Sequence, residues 1–287
     1  MIGPAVSRTR FLLDLLARPR TYRYGEHPSQ RADLHVPDGP GPHPVAVVIH
    51  GGSWAARYGK IIMRPVACEL ARHGWAVWNI EYRRIGRGQG GGWPATFEDV
   101  AVAIDQLAVL DAPIDTARVV GLGHSAGGHL ALWAAGRYKL PAGAPGAAPL
   151  VTLAAVVSQA GVNDLGRAYQ QAPAGAVGVL MQGSPADLPD RYAIADPILA
   201  VPLRIPVLLV HGTDDKTVSV RRSRDYAAAA RAAGGSVELV EIPGQAGEHR
   251  RHIDPCGASL AVVLPWLAAT PAAPRNSPAP AATSSPR

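Results

Sequence analysis

Four short segments of this 287-residue chain carry side chains able to do nucleophilic chemistry. The first is Gly121-Leu-Gly-His-Ser125-Ala-Gly-Gly128, which contains Gly123-x-Ser125-x-Gly127. Val119-Val120 reads as a strand just before it, and residues 128–135 read as a helix just after. A sharp strand-to-helix turn there exposes the serine oxygen on a strained backbone, and flanking glycines keep side chains out of the turn. The helix N-terminus favours negative charge developing beside the serine. The second segment, His50-Gly51-Gly52-Ser53-Trp54, follows the first core strand. Acyl transfer builds charge on a carbonyl oxygen, which preorganised N–H groups stabilise. The expected donors are the N–H groups of Gly52, Ser53 and Ala126, the last being the residue after the nucleophile. His50 reads as an anchor of this loop rather than a catalyst.

A serine hydroxyl needs a base, and the base needs a carboxylate to orient it. The third segment, His211-Gly-Thr-Asp214-Asp215, follows a late strand and offers two carboxylates. Asp215 is the preferred one and Asp214 the alternative; Asp164, after an earlier strand, is a weaker candidate that reads as structural. The fourth, Glu248-His249-Arg250-Arg251-His252-Ile253-Asp254-Pro255, offers two histidines. His249 comes first after the loop Gly244-Gln-Ala-Gly247 and can swing over the serine. His252, near the last helix, reads as structural, as do His124 and His129. The chain order is then Ser125, Asp215, His249.

Elements that could position these groups alternate along the chain. Short apolar runs rich in β-branched residues occur at 45–49, 75–78, 118–122, 154–157, 207–210 and 237–240. Strands without polar alternation are what a parallel sheet covered on both faces requires. Helical patterns at 63–73, 95–110, 127–138, 218–233 and 257–268 separate or follow them. The expected class is α/β, an open, mostly parallel sheet with right-handed crossovers. Residues 32–269 read as one domain. Residues 158–206 break the rhythm with six prolines and read as an irregular lid-like insertion over part of the site.

Composition narrows the function classes. The net charge of +6 is concentrated at the ends. Residues 1–31 hold six arginines against Asp14 and Glu26, residues 270–287 hold Arg275 and Arg287, and 32–269 sum to zero. A nucleic-acid surface gathers its basic residues on the folded domain, so no nucleic-acid partner is expected. No apolar run reaches the ~18 residues of a membrane span. Residues 11–17 are apolar but short and interrupted by Asp14, and read as an amphipathic helix in a basic N-terminal segment rather than an export signal. Residues 270–287, nearly all Pro, Ala, Ser and Thr, read as a disordered tail. Cys68 and Cys256 match no zinc spacing and read as buried free thiols. A cytoplasmic location without metal or organic cofactor is expected; nothing specifies an oligomeric state.

Taken together, the motifs resemble the α/β-hydrolase serine esterases, in particular the group related to kynurenine formamidase and the hormone-sensitive-lipase-like carboxylesterases. The resemblance spans about residues 22–268. It rests on Tyr24-Gly25, Asp33-Leu34, His50-Gly-Gly-Ser-Trp54, Glu81-Tyr82-Arg83, Gly123-His-Ser-Ala-Gly-Gly-His-Leu130, Ala195-Asp196-Pro197, His211-Gly-Thr-Asp-Asp215 and Glu248-His249 with Ile253-Asp254-Pro255. It implies a catalytic triad of Ser125, Asp215 and His249 acting on a small-molecule ester or amide. Arg250-Arg251 depart from the apolar and acidic residues common at that place. An arylformamidase would use the same residues on N-formylkynurenine. A serine peptidase of this fold usually carries a gating domain, for which this chain has no room. A hydrolase-fold binding protein is the alternative from outside enzymology. Glu81 is expected to tie down the loops near the oxyanion turn through Arg83 or Arg84. Trp54, Trp93 and Trp133 are candidates to line an acyl pocket, with core packing the default.

Overall fold

A computed structural model describes residues 8–16 and 18–270. In chain order, α1 (Arg8–Leu16) leads into β1 (Arg20–Arg23), β2 (Arg31–His35) and β3 (His43–Ile49). Next come α2 (Arg64–Arg72), β4 (Ala76–Ile80), α3 (Ala95–Asp105), β5 (Ile114–His124) and α4 (Ala126–Ala135). β6 (Ala155–Gln159) is followed by three short helices, α5 (Leu165–Gln171), α6 (Ala176–Met181) and α7 (Pro189–Ala195). β7 (Val207–Gly212), α8 (Arg221–Ala232), β8 (Val237–Ile242) and α9 (Ala258–Ala269) complete the described chain.

The strands form one sheet of eight in the order β1-β2-β4-β3-β5-β6-β7-β8. From β4 to β8 every pairing is parallel. The β-branched runs read from the sequence occupy this parallel part, because both of its faces are covered. Side chains alternate across a strand, so Val45, Val47 and Ile49 of β3 join one core with Phe97, Leu130 and Trp133 from α3 and α4. Ala46 and Val48 join the other, with Val66 and Leu70 of α2 and Leu260 and Val263 of α9. This is the α/β-hydrolase fold, as the sequence predicts.

Two findings correct the N-terminal expectation. The sheet does not begin at residue 32: Arg20–Arg23 pairs antiparallel with β2, and β2 pairs antiparallel with β4. The boundary was missed because Arg-Thr-Tyr-Arg is polar, as an edge strand tolerates. A helix forms at Arg8–Leu16, but three of its leucines, Leu12, Leu13 and Leu16, are exposed, while Leu15 is half-buried and Asp14 is buried against Arg72. The tail read at 270–287 lies, beyond Thr270, outside the described residues.

The stretch 158–206 is less irregular than its prolines imply. Ser158 and Gln159 complete β6, and α5, α6 and α7 fill much of the rest. Helices of six or seven residues make about two turns, too few to show a periodic pattern. Their start signals are nevertheless present. Asp164 caps α5 by accepting from the N–H of Arg167, and Pro189 opens α7, where its missing N–H costs nothing. Asp164 is thus structural, as expected. Both described cysteines are free; Cys68 is buried, but Cys256 is exposed, against expectation.

Candidate active site

β5 ends at His124 and α4 begins at Ala126, leaving Ser125 alone in the turn with φ 56° and ψ −119°. A non-glycine residue held there costs about 1–3 kcal/mol and persists only where its surroundings over-determine it. Here they do: the Ser125 N–H donates to Gln159 O at 2.8 Å, and its carbonyl accepts from His129 N at 3.2 Å. The flanking glycines are required by contact. A Cβ on Gly123 would lie 2.0 Å from Gly127 O, and one on Gly127 would lie 2.0 Å from Ile49 O. Gly127→Ala therefore has to displace β3 backbone. Overpacking of this kind costs about 3 kcal/mol, so the thermal midpoint should fall by roughly 6–12 °C. A differential scanning measurement checks it, and an unchanged midpoint would show that the turn has slack.

The three distant groups meet at this turn. His249 Nε2 lies 3.0 Å from Ser125 Oγ, and His249 Nδ1 lies 2.7 Å from Asp215 Oδ2. Asp215 Oδ1 also accepts the N–H groups of Thr217 and Val218 at 2.8 and 2.9 Å. Burial alone would raise the Asp215 carboxyl. Hydrogen bonds from His211 and His249, and the N–H of Val218, outweigh it and hold the group well below the usual carboxylate range. Asp214, one residue earlier, is exposed and takes no part in this chain of contacts. His252 is fully buried, with Nδ1 3.1 Å from Ser259 Oγ, as a structural histidine should be.

The loop after β3 takes an unusual path: Gly52, Ser53 and Trp54 all have positive φ. The N–H groups of Gly52, Ser53 and Ala126 donate to no acceptor among the described residues. They remain available to an oxygen beside Ser125. The loop is braced from below. His50 Nε2 lies 2.7 Å from Glu81 Oε1, and its Nδ1 lies 2.8 Å from Gly51 O. The His50 ring stacks on Tyr82 with centroids 4.3 Å apart, and the Tyr82 hydroxyl donates to His50 O at 2.9 Å. Glu81 Oε2 also accepts the Lys60 N–H. Burial raises the Glu81 carboxyl, but the charge and hydrogen bond of His50, with Arg84, bring it below its ordinary value. Glu81 thus ties down the loop as expected, though chiefly through His50. Arg84 is secondary at 3.6 Å, and Arg83 turns instead to Asp99.

Two further histidines support the site: His124, a packing or hydrogen-bonding residue as expected, and His211, to which the sequence assigned no role. His124 lies beneath His249, and its Nε2–H donates to the His249 carbonyl at 2.9 Å, pinning the loop that carries the base. Burial, then the proximity of His249 and His252, keeps its ring well below the ordinary histidine pKa and so neutral. His211 donates from Nε2 to Val218 O at 2.8 Å and lies 3.5 Å from Asp215. Its i,i+4 spacing to Asp215 is the one sequence signal that could have found it.

The 158–206 stretch is fastened to α4. His129 Nε2–H donates to Ala195 O at 3.0 Å, and Trp133 Nε1–H to Ile194 O at 3.1 Å. Asp196 accepts from the N–H groups of Leu165 and Gly166 at 2.9 Å each, although burial pushes its carboxyl up to about 7. Trp54 faces a cavity beside Ser125, whereas Trp93 and Trp133 pack on Phe97. No helix among the described residues is long and apolar enough to cross a membrane.

Known esterases are among the proteins that this chain resembles. Esterase LipQ of Mycobacterium tuberculosis is 30% identical over 70% of this chain and 49% of its own length. Esterase LipC of the same organism is 29% identical over 78% of this chain and 58% of its own. The chain thus spans about half the length of these curated relatives. Among solved structures, a truncated carbohydrate esterase from gut microbiota superposes with a TM-score of 0.73 at 22% identity, covering 87% of this chain and 95% of that one. Residues 32–229, which contain Ser125 and Asp215 and stop short of His249, match the BD-FAE family, and the chain belongs to that family.

Proposed function

We propose that the protein is a serine hydrolase that cleaves carboxylic esters of small substrates through an acyl-enzyme on Ser125. The observation that carries this reading is the unbroken hydrogen-bond relay from Ser125 through His249 to Asp215 at a strained strand-to-helix turn. The similarity to the esterases LipQ and LipC supports it.

Ser125 Oγ attacks the ester carbonyl carbon while its proton passes to His249 Nε2. Asp215 keeps the Nδ1 proton in place and stabilises the imidazolium that forms. The negative charge on the former carbonyl oxygen falls to the N–H groups of Gly52, Ser53 and Ala126, aided by the N-terminus of α4. When the bond to the alcohol oxygen breaks, His249 returns the proton to that oxygen. A water molecule then gives its proton to His249 and attacks the acyl carbon. Collapse releases the acid and restores Ser125.

A fluorophosphonate probe should label Ser125 in the folded protein, and Ser125→Ala should lose both the label and turnover of short p-nitrophenyl esters. Folded protein that stays unlabelled at Ser125 would favour a ligand-binding role for the fold instead.

A further inference from the structure

Ser125 sits between two cavities that differ in the charge left free in their walls. One, of about 160 Å³, is lined by Trp54, Val162, Ala168, Ala176 and Val177, and its arginine, Arg222, is committed to Asp164 O and the Gln171 side chain. The other, of about 230 Å³, is walled by Tyr58, Ile62, His249, Ile253 and two arginines, Arg57 and Arg250, with no carboxylate in its lining. His249 must reach the leaving oxygen to protonate it. The cavity that contains His249 therefore takes the alcohol half of an ester, and the one lined by Trp54 takes the acyl half.

The two arginines are unlike most others near the site. Arg83 and Arg137 pair closely with Asp99 and Asp105. Among the described residues, no carboxylate pairs with Arg57 or Arg250, and both are exposed. Arg57 stacks over Tyr58 at 4.8 Å, which steadies its stem and leaves the guanidinium for another partner. Arg57 and Tyr58 also form the near wall of a third hollow, of about 580 Å³, lined further out by Arg31, Lys60 and Arg84, with Glu81 its one carboxylate. Lys60 is already paired with Asp33, but no carboxylate pairs with Arg31 among the described residues. Positive charge therefore runs outwards from the alcohol side of Ser125.

From this asymmetry we infer that the substrates are esters of an anionic alcohol, one whose alcohol half bears a carboxylate, sulfate or phosphate, with a small apolar acyl group. Arg57 and Arg250 receive the anion, and the inference rests on the serine-hydrolase reading, whose substrate class it names. The guanidinium fork matches all three oxyanions.

The test compares 4-acetoxybenzoate with its neutral methyl ester at the benzoate carboxyl, each rate being divided by the hydroxide-catalysed rate. The anionic ester should be favoured roughly tenfold in kcat/KM at low salt, mostly through KM. The preference should shrink towards parity in high salt, since exposed charges are screened. The double variant Arg57→Gln/Arg250→Gln should likewise bring the ratio to about one. Because the readout is a ratio within one preparation, loss of folded protein cancels, and the wild-type salt series needs no variant. A neutral ester hydrolysed as fast as the anion, or a preference untouched by salt or by the double variant, overturns the inference while leaving the hydrolase reading intact. If neither ester is turned over and Ser125 takes no fluorophosphonate, the hydrolase reading fails and the substrate class falls with it.

Discussion

Replacing His249 by alanine should lower kcat on short p-nitrophenyl esters by about 10⁴-fold or more, with little change in KM. The size follows from the geometry. Among the described residues Ser125 Oγ has one base within reach, at 3.0 Å, and without it the hydroxyl is a poor nucleophile at neutral pH. Asp215→Asn should cost about 10³- to 10⁴-fold by a different route. The variant amide can still accept from Thr217 and Val218 through its oxygen, which leaves its NH₂ group facing His249 Nδ1. That nitrogen must then accept, so the ring proton moves to Nε2 and points at Ser125, where a base is needed. Asp214→Asn, one residue away and exposed, should stay within about twofold of wild type. Steady-state kinetics on the three variants separate these cases. An active His249→Ala would sink the relay.

Acidification should unfold the protein cooperatively, with a midpoint near pH 4–5. Three buried imidazoles, His35, His129 and His252, have their pKa lowered from 6.5 to about 4. Burial is the main cause in each. At His252 the nearby His211 and His249 add to it, while the Ala195 carbonyl partly offsets it at His129. Their folded pKa is depressed, so the unfolded chain binds protons first as the pH falls. The stability they protect is complete above about pH 6.5 and drains away between there and about 4. Each ring is worth roughly 3 kcal/mol when that window has been crossed; Asp196, raised to about 7, takes up its proton folded and offsets about one of them, and the remainder still rivals the ~5–15 kcal/mol that holds a typical domain folded. Asp215, whose carboxyl is depressed, withholds nothing in this window and begins to cost stability only at lower pH, as its unfolded counterpart takes up protons. Far-ultraviolet circular dichroism against pH is the measurement; a native spectrum retained at pH 3 would show that these rings are not held neutral.

The parts of the molecule legible beforehand are those where one local rule decides. Val45–Ile49 and Val207–Val210 are strands because β-branched residues suit a sheet buried on both faces, and β3 and β7 lie in its interior. Ser125, Asp215 and His249 were locatable because each follows a strand end at a Gly-rich turn, and the sheet brings those ends to one edge. What stayed hidden depends on partners far along the chain. His50 meets Glu81, and Arg83 chooses Asp99 over Glu81, through contacts no local pattern encodes. β1 was hidden because an edge strand can be polar. Asp14 of α1 meets Arg72 on another helix, again a contact no local pattern encodes. That His124 packs or hydrogen-bonds in the turn is legible locally; that its partner is the carbonyl of His249, 125 residues on, is not.

The late position of His249, beyond the last strand of the sheet, has a consequence for how the protein is made. Vectorial synthesis delivers the hydroxyl near mid-chain and the imidazole only after β8 has left the ribosome. A nascent chain therefore holds Ser125 without its base until the segment beyond β8 has been made. In the proposed mechanism, the hydroxyl gains its proton acceptor only once the far edge of the sheet is complete.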